Sequence, residues 1–293
     1  ASIYDKAAQR ELLSGDTSTV LIDDTKHDTW AHGINEFKTV AGVFSEGSVH
    51  MIEQGPLRVA LRSVMRYDTT EIVRDYFLTV GSKAIVVKTK IDFHEKHRML
   101  KLRFPMVAES PRAYCEIPFG YIERATDGSE QTGGAWTALV ENGYGLGIAN
   151  DSKYSFDVDG CSMALTVLRS ALYADHYGRR DEFCQFMEQG EHFFTYSIFP
   201  FAGFADAEKQ AQELNNSLSA VIETFHKGAL GTDYCGMSLS EDNTVVTALK
   251  KHEDSDAWVL RCYEAEGREA NVHIRVFGTE FDTTFAPKSV KTF

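Results

Sequence analysis

Residues 91–124 read IDFHEKHRMLKLRFPMVAESPRAYCEIPFGYIER, and the pattern of this stretch decides the fold class. Within 100–106 every second residue is apolar, which is the period of a β-strand with one buried face. Pro105 indicates the end or the edge of that strand, because proline cannot donate to a sheet ladder. With the apolar segment 83–92 and the charged turn 94–97, the pattern predicts an antiparallel hairpin in the middle of a sheet.

The same alternation recurs along the chain and predicts an all-β protein. Strands are expected within 17–23, 38–44, 50–67, 71–80, 113–119, 136–150, 163–176, 192–201, 235–240, 243–251, 256–265, 270–278 and 287–293. We expect a large antiparallel two-sheet sandwich over 1–228 and a small C-terminal β-sandwich over 229–293.

Three other segments break the strand pattern. Residues 205–218 are dense in Ala, Glu, Gln and Lys and predict the only helix, with Asp206 as its N-cap. Residues 124–136 are rich in Gly, Ser and Thr and predict a mobile surface loop. Residues 177–192 form a polar insert between two strands.

Composition narrows the classes of partner. The net charge is −13 and no basic block is present, which argues against nucleic acid or an anionic membrane and fits a neutral ligand such as a sugar. No apolar run reaches the roughly 18 residues of a membrane-spanning helix. The five cysteines are scattered, without metal-binding or paired spacing, so a reducing cytoplasm is the expected location. The start, ASIYDKAAQREL, reads as a cut inside a longer protein.

Several phrases, in order, resemble the C-terminal β region of the family 38 α-mannosidases, which are retaining glycoside hydrolases. The central ones are IDFHEKHRMLKLRFP (91–105), CEIPFG (115–120) and ANDSKYSFDV (149–158). Further matches are SIYDKAAQREL (2–12), HDTWAHG (27–33), GPLRVALRSVMRY (55–67), LTVLRSA (165–171), GEHFFTYSIFPFAG (190–203) and LRCYEAEG (260–267). The resemblance covers nearly the whole chain.

The resemblance implies that the chemistry lies elsewhere. In that family the nucleophile, the general acid and a zinc ion held by His and Asp belong to an N-terminal (β/α) barrel, whose pattern is absent here. The expected fold of the large sandwich is galactose mutarotase-like. The expected partners are that barrel, a mannose-containing oligosaccharide and possible further copies of the chain. The alternative is a free-standing carbohydrate-binding module.

No catalytic residue and no metal site are expected within the chain. His94 and His97 are three residues apart between two strands, whereas a zinc protease motif needs histidines four apart on a helix. The acid pairs Glu116 with Glu123 and Asp151 with Glu191 fit ordinary surface carboxylates better than a glycosidase pair.

The residues expected to contact sugar lie on three loops. They are Trp30 and His32, then Glu116 and Arg124, then Asn150, Asp151 and Tyr154. Loops tolerate such residues, whereas strand interiors are committed to packing. Alternatives remain open: Trp30 could plug the end of the sandwich, Arg124 could be an ordinary surface arginine, and 150–154 could simply pack on the sheet. At least two of the three groups are expected to lie together.

Overall fold

The computed structural model describes residues 2–173, 185–229 and 231–293, so the first half of the predicted insert at 177–192, residues 177–184, falls outside the described residues. The first strands are β1 (Tyr4–Asp5), β2 (Arg10–Glu11), β3 (Ser18–Asp23), β4 (Val40–Val43), β5 (Ser45–Gln54), β6 (Arg58–Tyr67), β7 (Thr70–Thr79), β8 (Ile85–Phe93), β9 (Arg98–Pro105), β10 (Arg112–Ile117), β11 (Gly120–Arg124) and β12 (Asp127–Thr132). There follow β13 (Trp136–Glu141), β14 (Tyr144–Asn150), β15 (Ser155–Asp159), β16 (Ser162–Ser170), β17 (Gly190–Phe201), α1 (Phe204–Asn215), β18 (Met237–Leu239), β19 (Thr244–Lys251), β20 (Trp258–Glu264), β21 (Ala270–Val276), β22 (Thr279–Phe285) and β23 (Val290–Thr292).

The large part is a two-layer antiparallel sandwich, as predicted. One sheet has nine strands in the order β11-β10-β13-β14-β17-β8-β7-β6-β5, and the other has six in the order β12-β15-β16-β9-β3-β4. The main core lies between them and includes Phe93, Leu102, Phe104, Phe156 and Tyr196, all at most 3% exposed. The alternating residues of 100–106 therefore supply one buried face, and Pro105 is the last residue of its strand.

The predicted hairpin of 83–92 with 100–106 is wrong. Strand β8 pairs with β7 and β17 in the nine-stranded sheet, whereas β9 pairs with β3 and β16 in the six-stranded sheet. The turn 94–97 crosses from one layer to the other, and its last residue, His97, has a positive φ of 51°. Alternation fixes which face of a strand is buried but not its neighbour, so two strands facing each other across a core produce the same pattern.

The predicted loop at 124–136 is also wrong in part, because Asp127–Thr132 form the edge strand β12. This strand pairs with β15, with an irregular register between Asp127 and Glu130. The sequence pattern did not reveal β12 because its residues are mostly polar. An edge strand with a bulge carries few of the apolar residues that mark a buried strand. By contrast, 136–150 forms the predicted hairpin, with Asn142 and Gly143 both at positive φ in its turn.

The predicted helix exists as Phe204–Asn215, but Asp206 is not its N-cap. The N-cap residue is Gly203, and no side chain of the helix caps it. Instead, the carboxylate of Glu266, just after β20, accepts a hydrogen bond from the Ala205 N–H at 2.7 Å. The cap therefore comes from a distant part of the chain, which a local sequence pattern cannot reveal.

The C-terminal part forms a small sandwich of two three-stranded sheets, β18-β21-β22 and β19-β20-β23. Its own core contains Leu260, Cys262, Val272, Ile274 and Phe285. The all-β prediction is thus confirmed, while the domain boundary near residue 228 stays a prediction. In the described part of the chain, no helix is long and apolar enough to cross a membrane.

Candidate functional site

Three of the seven predicted residues, Glu116, Arg124 and Tyr154, line one cavity of about 530 Å³. Glu116 lies on β10, Arg124 ends β11, and Tyr154 lies in the turn between β14 and β15. The hairpin of β10 and β11 forms the edge of the nine-stranded sheet, and residues 132–135 complete the wall. The prediction that these residues lie on loops is wrong for Glu116 and Arg124, which belong to strands. Two of the three predicted groups nevertheless lie together.

Glu116 is held by the backbone opposite it. Its carboxylate accepts a hydrogen bond from the Ala135 N–H. A Cβ at Gly134 would collide with this carboxylate, so the close approach requires glycine at that position. Burial raises the pKa of Glu116, the negative charge of Glu208 adds to the rise, and the N–H groups of Ala135 and Trp136 oppose it.

Arg124 brings a positive charge with spare hydrogen-bonding capacity to the cavity. Its Nη2 donates to the Thr132 carbonyl at 2.9 Å. Its Nε is buried and has no acceptor within the described residues. Burial raises the pKa of the neighbouring Cys115 thiol, and the Arg124 guanidinium works against that rise.

Asn150 lies beneath the cavity and is fully buried. Its Oδ1 accepts from the Lys153 N–H at 2.6 Å, and its backbone N–H donates to the Ala135 carbonyl at 2.8 Å. The residue thus ties the 150–154 turn to the wall that holds Glu116. The Tyr154 ring, above it, is half exposed, and its hydroxyl donates to the Asp151 carbonyl at 3.3 Å.

Asp151 points away from this cavity. Its Oδ2 accepts from the Thr195 N–H at 2.8 Å, and it lines a separate groove on the outer face of the nine-stranded sheet with Lys90 and Phe193. Glu191 forms an ion pair with Lys90. Each member of the pair Asp151 and Glu191 therefore has a structural partner, as does Glu123, which pairs with Arg112 at 3.4 Å.

Trp30 and His32 lie on a different loop and do not line the cavity. Trp30 is 65% exposed, so it does not plug the sandwich. The loop is held by Arg169, which the sequence did not single out. The guanidinium donates to the Asp24 carboxylate at 2.8 Å, to the Thr29 carbonyl at 2.7 Å and to the Asp28 carbonyl at 2.6 Å.

Sequence reasoning also missed Glu208 and Tyr263, which lie next to Glu116. Glu208, on α1, accepts a hydrogen bond from the Trp136 indole at 3.1 Å and is only 7% exposed. Burial raises the pKa of Tyr263, and the charges of Glu208 and Glu116 add to the rise. No pattern in the sequence distinguishes these two residues. A glutamate in a helix rich in Glu and Gln is expected on the solvent-exposed face of that helix.

Titration of Glu116 gives a testable pH dependence. Because its pKa is raised on folding, the stability linked to this group is complete below the ordinary glutamate pKa, about 4.3, and declines as the pH rises through the raised value. We expect Glu116→Gln to remove this decline, so that the stability of the variant relative to the wild type increases as the pH rises. Urea unfolding at a series of pH values measures it, with the exposed Glu123→Gln as control. Parallel profiles for Glu116→Gln and wild type would refute the assignment.

Comparisons with known proteins show which family this chain resembles in sequence and fold. The model of the "Glycosyl hydrolases family 38 C-terminal domain" matches residues 1–177, and that of the "Glycosyl hydrolases family 38 C-terminal beta sandwich domain" matches 243–293. The structure of an α-mannosidase from Enterococcus faecalis V583 superimposes with a TM-score of 0.81 at 14% identity, covering 99% of this chain and 40% of that one. This likeness shows the fold.

Curated relatives are longer proteins. Alpha-mannosidase G of Dictyostelium discoideum is 29% identical over 292 residues, which cover 91% of this chain and 26% of that protein. Human alpha-mannosidase 2C1 is 29% identical over 266 residues, which cover 85% of this chain and 24% of that protein. The chain spans about a quarter of the length of these relatives. Because the two family models match residues 1–177 of the large sandwich and 243–293 of the small one, the chain belongs to glycoside hydrolase family 38 and corresponds to that family's C-terminal region.

Proposed function

We propose that this chain is the non-catalytic C-terminal portion of a retaining α-mannosidase, where it braces the catalytic barrel of the same polypeptide and forms part of the sugar cleft. Its family membership and its share of the relatives' length support this role. The substrate expected for the whole enzyme is an α-mannoside in a mannan-type or N-glycan-type oligosaccharide. The role of this chain is to bind and orient that substrate.

The observation that carries the cleft proposal is that Arg124, Glu116 and Tyr154 line one cavity. A guanidinium can donate to sugar hydroxyls or to carboxylates of the barrel. The Glu116 carboxylate can accept from a hydroxyl, and the half-exposed Tyr154 ring offers an apolar face to a pyranose. Together these groups supply a donor, an acceptor and a stacking surface.

The zinc ion that the family implies finds no fitting site among the described residues. Within the described residues, no three His, Cys, Asp or Glu side chains are grouped as a metal site requires. We therefore assign the zinc to the barrel and route no step of the present proposal through it. No proton transfer is assigned to Glu116, whose carboxylate is committed to the Ala135 N–H.

Kinetics of the full-length enzyme test the proposal. Arg124→Ala should lower kcat/KM for an α-mannoside by about 10-fold to about 100-fold, the loss of a hydrogen bond from a charged donor. Arg124→Lys should recover part of the loss, because it keeps the charge but not the planar donors. Arg112→Ala, which removes a 70% exposed side chain on the same hairpin, is the matched control. If Arg124→Ala, Tyr154→Ala and Trp30→Ala all kept wild-type kinetics, the role of this chain would be limited to bracing the barrel.

A further inference from the structure

The segment 217–229, between α1 and β18, leaves large apolar side chains in solvent. Its residues belong to neither a helix nor a strand, and all of them are exposed. Four large apolar side chains in it are 88% to 111% exposed: Leu218, Val221, Ile222 and Phe225. A single exposed apolar residue is normal, but four within eight positions form a patch of the kind that marks an interaction surface.

The spacing of these four residues is that of one face of an α-helix. They occupy positions i, i+3, i+4 and i+7, which gives an apolar stripe about 100° wide. Ser217 stands directly before the stripe, where an N-cap is expected, and Gly228 follows it as a helix-ending residue. Glu223 and Lys227 lie four apart on the opposite face, in the order that stabilises a helix. The pattern therefore indicates an amphipathic helix over 218–227.

This helix is not formed in the structure, and its short length explains why. Ten residues, 218–227, are fewer than the roughly 12–15 that an isolated helix needs in water. Helix α1 ends at Asn215, and 217–229 form no backbone–backbone hydrogen bond within the described residues. Such a segment becomes helical when a partner buries its apolar stripe. The stripe thus matches recognition of a helix in a groove, where residues with this spacing are the anchors.

The segment leaves the large sandwich beside the candidate cavity. The Asn215 side chain, at the end of α1, donates to the Asn150 carbonyl at 3.1 Å. Asn150 lies beneath the cavity that Glu116, Arg124 and Tyr154 line. The segment begins two residues after Asn215, so it starts at the rim where the proposed function places the catalytic barrel.

Two features favour a groove in the same polypeptide over a second copy of the chain. Within one polypeptide the effective concentration of a flexible segment is on the order of millimolar, so a small anchor is enough to hold it. Two copies would meet through four large side chains each, whereas stable interfaces between separate chains involve about 20–30 residues a side. The matched region is only 24–26% of the curated relatives, so a further portion of such a polypeptide exists to receive the segment.

An anionic membrane fits the segment less well. Helices that lie on membrane surfaces carry many Lys and Arg residues on their polar face. Over 218–227 the only Lys or Arg is Lys227, and Glu223 lies on the same face. The net charge of −13 adds to the repulsion.

We propose that residues 218–227 are a docking segment, which folds into a helix in an apolar groove of the catalytic portion of the same polypeptide. This rests on the proposed function, because it assumes that the catalytic portion belongs to the same polypeptide. It adds which part of the chain holds that portion. Since the segment joins the two sandwiches, its docking fixes both of them against the barrel at the rim of the cleft.

Limited proteolysis of the full-length enzyme and of the isolated chain tests the proposal. Chymotrypsin cleaves after large apolar residues, so it should cut the isolated chain rapidly after Phe225 and the full-length enzyme about 10-fold or more slowly. Mass spectrometry identifies the cut. Hydrogen exchange should likewise show 218–227 protected in the full-length enzyme and unprotected in the isolated chain.

Two substitutions separate docking from a general loss of accessibility. Ile222→Asp would place a charge in the apolar groove, so cleavage of the full-length variant should come within about 3-fold of the isolated chain. Ala220→Asp adds the same charge on the opposite face of the helix and should leave the protection unchanged. Each rate is divided by that of the same variant in the isolated chain, which corrects for any effect on the protease itself.

Equal cleavage rates in the full-length enzyme and the isolated chain would overturn the proposal, as would protection that Ile222→Asp leaves intact. Protection of the isolated chain that grows with its concentration would overturn it in favour of a second copy. Protection of the isolated chain by anionic phospholipid vesicles would overturn it in favour of a membrane. Because cleavage does not depend on turnover, a protected full-length enzyme that is inactive on α-mannosides would refute the proposed activity and leave this result intact.

Discussion

Arg169→Met should lower the free energy of unfolding of the chain by about 3–5 kcal/mol, because it leaves a fully buried carboxylate without its cation. Asp24 is 0% exposed, and its two oxygens accept hydrogen bonds from the Arg169 Nε at 2.8 Å and Nη2 at 3.2 Å. The His27 Nδ1 lies 2.8 Å from the same carboxylate and would be the one hydrogen-bonding side chain left to it among the described residues. The same guanidinium binds the carbonyls of Asp28 and Thr29. The loop that carries Trp30 should therefore loosen with the loss of stability.

Urea unfolding measures the stability change, and hydrogen exchange of 24–33 measures the loop. Arg66→Met is the matched control, because Arg66 is paired with Glu71 but 70% exposed, and should cost at most about 1 kcal/mol. The double variant Asp24→Leu with Arg169→Met should recover part of the loss, since it removes the unpaired charge. A loss below about 1 kcal/mol for Arg169→Met would show that water or another group satisfies Asp24.

Lys101→Met is expected to lower the free energy of unfolding by a similar amount, about 3–5 kcal/mol, because it removes the cation that two carboxylates share. Lys101 is 1% exposed and its ammonium contacts the carboxylates of Glu130 and Asp157, which are 14% and 13% exposed. Burial already raises the pKa of Asp157, and Lys101 is the main group opposing that rise. Without the ammonium, Asp157 must bind a proton or face the negative charge of Glu130 without a cation between them.

The pH dependence separates this effect from lost packing. Methionine keeps most of the volume of lysine, so the deficit in stability should shrink as the pH falls and Asp157, whose pKa is raised by burial, becomes protonated. The triple variant with Glu130→Gln and Asp157→Asn should recover most of the stability at neutral pH. A deficit that is independent of pH, and that persists in the triple variant, would mean that Lys101 acts through packing alone.

The alternating pattern was enough to predict an all-β chain and most of its strands. It could not predict which strands pair with β8 and β9. Each of these two strands buries one face in the same core, but they belong to different sheets. It also missed β12, because the residues of this strand are mostly polar. Glu130 on β12 forms an ion pair with the buried Lys101 and is not part of the apolar core. Long-range polar pairs leave no period in a sequence.

For the candidate site, we selected Glu116, Arg124 and Tyr154 as polar or aromatic residues expected on loops, and the structure brings these three together although the first two lie on strands. The sequence could not tell that Asn150 is buried beneath them or that Asp151 faces another groove. It also gave no hint of Glu208, since only the docking of α1 on the sheet brings that carboxylate near Glu116. Which side chains converge depends on how the layers pack, and this information is not local.

The central claim is that this chain serves an α-mannosidase without carrying its catalytic residues. Turnover of an aryl α-mannoside, measured together with zinc content for the isolated chain and for the full-length enzyme, tests it most directly. We expect turnover and stoichiometric zinc in the full-length enzyme and neither in the isolated chain, with Arg124→Ala lowering turnover per zinc. Turnover by the purified isolated chain, or stoichiometric zinc bound to it, would contradict the account.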